Sequence, residues 1–268
     1  MTREAAVSGK FYPGARGELE SLLGQMLAGG TGEKQKAIGV ICPHAGYMFS
    51  GRVAGAVYSG VQIPRKVILI GPNHTGLGPQ FSIMTEGEWE VPNGVLPVDE
   101  ELAARVAGHV PFFTSDETAH AYEHSIEVQL PFIAHLRPDA RIVPIVMTPA
   151  LIDYLRKAAE GVARTVEDAG GGALIIASSD MSHYVPEETA REKDGRAIKH
   201  ILDLDPAGLY AEAIDDKVSM CGLPAVVTTL YAAILLGASQ ASLAAYATSG
   251  DVTGDRSQVV GYAGIVIR

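Results

Sequence analysis

Three apolar runs in this sequence each empty into a histidine. Residues 37–42 (AIGVIC) are followed by Pro43 and His44, residues 66–70 (KVILI) by Gly71, Pro72, Asn73 and His74, and residues 173–177 (ALIIA) by Ser178, Ser179, Asp180 and His183. Short runs rich in Ile and Val read as strands buried on both faces, as in a parallel sheet. In open α/β sheets ligands bind beyond the carboxyl ends of the strands. His44 or His74 alone would be an ordinary turn or core histidine. Delivered together to one edge by neighbouring parallel strands, they point to a shared site. Ala45 and Gly46, which follow His44, leave room for a tight turn and a bound atom.

Asp180 and His183 stand three residues apart in an expected turn, close enough for the carboxylate to orient or charge the imidazole. Asp180 also suits a helix cap, with His183 then simply exposed. The Ser–Asp–His content invites a hydrolase reading, but there is no GxSxG elbow and the residues sit on one turn instead of three elements. His124 and Glu127 share a helix face by i,i+3 spacing, as either a polar helix start or an imidazole–carboxylate pair facing a metal. Cys221 precedes an expected helix whose N-terminus would favour a thiolate, the alternative being a buried structural cysteine. Cys42, inside a strand, is read as structural. His109, His120, His135 and His200 have no supporting neighbours and are expected at the surface.

The elements that must position these residues alternate. Helices are expected over 18–27, 50–58, 99–107, 121–136 (kinked or restarted at Pro131), 151–168, 186–202, 206–214 and 224–236. Strands are expected over 37–42, 66–70, 81–85, 141–147, 173–177, 241–248 and 259–267, the last two antiparallel, with a hairpin over 89–97 turning at Pro92-Asn93-Gly94. Strand, helix and strand within about 35 residues of the first run make a parallel βαβ unit. The expected architecture is a single α/β domain over 1–268, with a central, mostly parallel, mixed sheet flanked by helices.

Composition narrows the function classes. The 268 residues are 47% apolar and 19% charged, which is ordinary for a folded chain, and the formal net charge is −10. With no Lys/Arg cluster, nucleic acid is not an expected partner. Two cysteines without a CxxC pair suggest a reduced, cytoplasmic setting. No signal-peptide-like run opens the sequence, and the most apolar helix candidate is too short to span a bilayer, so no membrane association is expected.

Seven motifs in order, Gly9-Lys-Phe-Tyr-Pro, Pro43-His-Ala-Gly-Tyr, Ser50-Gly, Gly71-Pro-Asn-His, Glu123-His-Ser-Ile-Glu-Val-Gln-Leu-Pro, Ser178-Ser-Asp-Met-Ser-His-Tyr and Cys221-Gly, resemble the Memo family over essentially the whole chain. The family is named after a mediator of cell motility, and its prokaryotic members are called AmmeMemoRadiSam system protein B. Its fold is similar to that of the class III extradiol dioxygenases, which hold a non-haem iron(II) with two histidines and a carboxylate. The resemblance implies a metal-ligand set of His44, His74 and Cys221. Asp180 and His183 would line the same pocket, His183 standing where those dioxygenases keep a catalytic histidine. Asn73, His124, Glu127 and Tyr47, from the same motifs, are expected around it. This chain has a cysteine where the dioxygenases have a glutamate. Two imidazoles and a thiolate form a softer set, which suits copper or zinc at least as well as iron. The expected function is metal-dependent redox or dioxygenase-like chemistry on a small molecule; the alternative is a non-catalytic protein whose pocket docks a peptide or partner. The prokaryotic name implies association with a radical-SAM protein.

Overall fold

A computed structural model describes residues 1–30, 32–215 and 218–268. Four parallel strands form its centre, in the spatial order Gly39–Cys42, Ala173–Ser178, Lys66–Pro72 and Arg141–Met147. Val259–Ile267 runs antiparallel beside Gly39–Cys42, and Ala241–Thr248 lies antiparallel outside it. On the other flank Phe81–Ile83 is antiparallel to Arg141–Met147, and Thr114–Ser115 pairs with Phe81–Ile83. Ile68, Ile70, Ile175 and Ile176 are fully buried; each such side chain contributes about 1.5–3 kcal/mol relative to exposure. The expected mixed, mostly parallel sheet flanked by helices is the fold observed.

Register levels the strand ends. Cys42 pairs with Ser178 and Ile70 with Ala177, so His44, Ser179, Asp180 and His74 leave the sheet at one edge. The strands that deliver His44 and His74 are not neighbours, contrary to the sequence-based expectation. Ala173–Ser178 lies between them, all six of its residues buried. So apolar a strand is satisfied only with both faces covered and both edges paired. The chain leaves Lys66–Pro72 towards Arg141–Met147 but leaves Ala173–Ser178 the opposite way, towards Val259–Ile267. In open α/β sheets such a reversal marks the edge where ligands bind.

Helix Tyr47–Gly60 packs against Val259–Ile267 and Ala241–Thr248, and Leu223–Leu235 packs against Ala173–Ser178 and Lys66–Pro72. Gly55 matters here, because a Cβ on it would lie 2.5 Å from the Met26 carbonyl oxygen. Only glycine lets helix Arg16–Leu27 lie this close. The expected helix over 121–136 is two pieces, His124–Glu127 and Leu130–Leu136, with Pro131 in the first turn of the second, where its missing N–H costs nothing. The turn expected after Ala173–Ser178 is instead a short strand, His183–Val185, paired with Val259 and Val260 and bulged at Tyr184, whose φ is +56°. Among the described residues no helix is long and apolar enough to cross a membrane.

The chain's first residues are tied to the middle of the sequence. Thr2–Arg3 pairs with Glu88–Trp89, and the Arg3 guanidinium lies 4.3 Å from the Trp89 ring. The wholly buried Glu127 carboxylate accepts from Arg3, from the amides of Ala6 (2.8 Å) and Val7 (3.0 Å), and from the Tyr12 hydroxyl (2.5 Å). Tyr47 donates its hydroxyl to the Val128 carbonyl at 2.8 Å and packs on Tyr12 and Phe132. Glu127 and Tyr47 are therefore structural, not pocket residues. The single turn His124–Glu127 shows its histidine to the strand-end edge and its glutamate to the N-terminal segment. His120 also departs from expectation. It is fully buried, with Nε2 3.1 Å from Ser82 Oγ, and burial holds its pKa down to about 4.

Breaking a buried ion pair leaves the remaining charge uncompensated, at a cost of about 3–5 kcal/mol. Glu127→Ala is expected to destabilise the chain by that order in chemical denaturation. A loss below about 1 kcal/mol would show that the Glu127 cluster is not the anchor of the N-terminal segment.

Candidate metal centre

His44 is buried just past Cys42, and three contacts decide which way it points. Its amide donates to Asp180 Oδ1 at 2.8 Å, its Nδ1 lies 2.9 Å from Ser178 Oγ, and its Nε2 lies 3.2 Å from Cys221 Sγ. Ser178 fixes the tautomer. Its hydroxyl has one proton, which goes to the Ser125 carbonyl at 2.6 Å, and it accepts from Gln129 Nε2 at 3.0 Å. His44 Nδ1 must therefore be the donor, and the free lone pair is on Nε2. Burial, followed by the neighbouring His124, His74 and His183, pushes the His44 pKa well below its ordinary value, so the ring is neutral.

His74 is held from behind by Glu123. The carboxylate accepts the His74 amide at 2.5 Å and Nδ1–H at 2.9 Å, and also the Ser125 amide at 2.8 Å. Burial works against this charge, but the hydrogen bonds and the attraction to His74 prevail and hold the Glu123 pKa down to about 2. His74 thus also presents Nε2 outwards. A carboxylate behind a ligating imidazole is the usual support of a metal-bound histidine. The ring centroids of His44, His74 and His124 lie 5.1, 5.4 and 4.5 Å apart. Sequence reasoning missed Glu123. The signal was its place directly before His124, but helical spacing favoured Glu127. Asn73 contributes through its loop: its Oδ1 accepts from Thr75 Oγ1 (2.9 Å) and the Gly76 amide (3.0 Å), and its Nδ2 donates to the Leu77 carbonyl at 2.7 Å.

Cys221 comes from the segment before helix Leu223–Leu235. Its Sγ accepts the Asp180 amide at 3.3 Å, and its proton has His44 Nε2 as partner. Burial and the Asp180 charge push this thiol's pKa up, against any pull of the helix N-terminus towards a thiolate. The segment fits because residue 222 is glycine: a Cβ there would lie 2.3 Å from the Ser178 carbonyl oxygen. Donor atoms of His44, His74 and Cys221 all lie within 4.8 Å of one another. Such spacing lets one ion reach all three with modest closure, and the two free imidazole lone pairs and the sulfur suit a transition metal.

Asp180 and His183 do not pair. The Asp180 carboxylate accepts the amides of His44 and Ala45, and burial raises its pKa to about 6. His183 is fixed instead by Ser219, its amide 2.8 Å from Oγ and its Nδ1–H donating to the carbonyl at 2.8 Å. The bulged strand turns the two side chains to different partners. His183 is the third ring with Nδ1 tied and Nε2 free.

An acid with a raised folded pKa holds its proton more tightly when folded. Its ionisation cost is absent below about pH 4 and grows as pH rises through about 6. Asp180→Asn removes that cost. The stability of the variant minus that of the wild type should therefore rise between about pH 4 and 6 in metal-free protein. A difference constant across that range would refute the assignment. Gly222→Ala should retain the fold yet displace Cys221, lowering metal affinity without altering any donor; unchanged affinity would mean the loop has room to spare.

The family model and the curated relatives agree on one family. The family model described as Memo-like protein matches residues 3–266. A MEMO1 family protein of Aquifex aeolicus is 42% identical over 265 residues, covering 98% of each chain. Another, from Methanothermobacter thermautotrophicus, is 41% identical over 98% of this chain and 99% of its own. Among solved structures, an uncharacterized protein from Escherichia coli K12 matches with a TM-score of 0.57 at 11% identity, covering 86% of this chain and all of that one, a likeness of fold alone. With its His/His/Cys group at the strand ends, this chain belongs to the Memo family.

Proposed function

We propose that this protein holds a transition metal on His44 Nε2, His74 Nε2 and Cys221 Sγ, and that it carries out redox chemistry on a small molecule there. The observation that supports this best is the locking of both imidazoles. Ser178 and Glu123 accept hydrogen bonds from Nδ1–H, which puts both lone pairs on Nε2, that of His44 beside the Cys221 sulfur whose proton an ion would displace. The softness of the set favours copper or zinc as much as iron(II), and an iron or copper ion would supply electron transfer and Lewis acidity. The chain's own residues do the rest. Asp180 holds the His44 backbone, Glu123 holds His74, and His183 Nε2 accepts or delivers a proton at the substrate.

A second reading, a pocket that docks a peptide without turnover, is favoured by Tyr184. It is 73% exposed beside His183 and sits at φ +56°, a conformation bulky side chains rarely adopt. Metal content of the purified protein, followed by oxygen consumption with catechols, separates the two. Because a thiolate stands where the extradiol enzymes carry a carboxylate, ring cleavage of ordinary catechols with iron(II) is expected to be slight. Efficient formation of yellow product would promote the dioxygenase reading.

Replacing His44, His74 or Cys221 by Ala should each weaken metal binding while the fold survives; unchanged affinity in all three by titration ends the proposal. Binding must displace the Cys221 proton, so affinity should rise with pH, about tenfold per unit below the thiol's pKa. A flat pH dependence would exclude the thiol as a ligand. His183→Ala should keep the metal and lose turnover by on the order of 10²–10⁴. Loss of metal in step with activity would make His183 a ligand instead.

A further inference from the structure

Glu123 does more than support His74; it completes a second set of donors. Its Oε1 lies 2.9 Å from His74 Nδ1 and 3.5 Å from His124 Nδ1. Donors at about 2.0–2.2 Å from one metal ion stand roughly 2.9–3.6 Å apart. These are ligand spacings as well as hydrogen-bond spacings, and one donor from each of the three residues lies within 4.8 Å of the others. The carboxylate is wholly buried and aimed by the amides of His74 and Ser125, while the side chains of His74 and His124 are 32% and 22% exposed, open to an ion from solvent.

The two sets meet at His74 through opposite ring nitrogens. Nδ1 is bonded to Glu123, which leaves Nε2 for the set with His44 and Cys221. A neutral imidazole has a single lone pair, so it serves one set or the other but not both. The sets also differ in kind. Two imidazoles with a thiolate are soft, whereas two imidazoles with a carboxylate are the harder combination preferred by manganese and iron(II).

We infer that the centre has two mutually exclusive metal positions, a soft one on His44, His74 and Cys221 and a hard one on His74 Nδ1, Glu123 and His124, and that the softness of the ion chooses between them. The soft position rests on the function proposed above; the hard one does not need it. When the hard position fills, the Nδ1 proton of His74 passes to solvent and Nε2 takes one up, so the ring stays neutral with its single lone pair on Nδ1. The His124 ring, stacked on His74 at 4.5 Å and 19°, turns about its Cβ–Cγ bond to aim Nδ1 at the ion.

Copper(I), followed by chelator competition, and manganese(II), followed by electron paramagnetic resonance, are the probes. Wild type should bind one ion at a time, copper(I) releasing manganese(II). His124→Ala should lose manganese(II) affinity by at least ~10-fold and keep copper(I) affinity; Cys221→Ala should do the reverse. The retained ion in each variant reports that the fold is intact. If Cys221→Ala weakens both ions and His124→Ala neither, one set serves both metals; the inference then fails while the proposed function stands. Simultaneous binding of both ions by wild type also overturns it. If copper(I) ignores Cys221, the proposed function fails, and the manganese(II) result with His124→Ala still decides the hard position.

Discussion

The hydroxyl of Ser178 has one proton to give, and the chemistry at this sheet edge follows from where it goes. A carbonyl cannot donate, so the Ser125 carbonyl takes that proton, and the hydroxyl becomes an acceptor for Gln129 and His44. The His44 tautomer is thereby settled before any ligand arrives. Glu123 does the same for His74 with a full charge, and the Ser219 carbonyl for His183. Three imidazoles from three places in the chain are held by three different acceptors. In each ring the tied nitrogen is Nδ1.

That arrangement requires several backbones to come unusually close. The strand Ala173–Ser178 sits between the two histidine-bearing strands and supplies Ser178 at its last position, level with Cys42. Asp180, immediately beyond, accepts the His44 amide with its side chain and donates its own amide to Cys221 Sγ. Ser179 Oγ accepts the Gly222 amide at 3.0 Å, which brings the cysteine segment onto the strand end. The central strand and the two residues beyond it contribute none of the three proposed ligands, yet they contact His44 and the cysteine segment and pair with the strand that leads to His74. Burying Asp180 raises its pKa to about 6, the electrostatic cost of this cross-linking.

Much of this was legible in the sequence, for definite reasons. Apolar runs that stop abruptly at His44, His74 and Ser178 mark buried strands and their polar ends, and those strands lie where expected. The order of strands was not legible, because periodicity reports burial and not neighbours. Side-chain direction failed in two short segments. Helical spacing selected Glu127, but His124–Glu127 is one turn long, and Glu127 is claimed by Arg3, Ala6, Val7 and Tyr12 far away in sequence. Proximity paired Asp180 with His183, but a bulged strand sends the imidazole to Ser219. His120 was misplaced because nothing near it in sequence reveals the Ser82 hydroxyl that makes its burial tolerable.

The tie between the N-terminal segment and Glu127 also bears on how the molecule is made. Phe11, near the start, packs on His124 at 4.8 Å, and its carbonyl accepts the Tyr47 amide at 2.7 Å. This N-terminal segment leaves a ribosome with nothing to pack on, since Glu123, His124 and Glu127 lie more than a hundred residues later. The thiol follows later still, and the strand that flanks Gly39–Cys42 comes last. Contacts so distant in sequence form only once most of the chain is available, which is the topology of slow folding. A nascent chain therefore carries exposed imidazoles well before it carries the complete donor group, and any metal held there would be acquired by the finished protein.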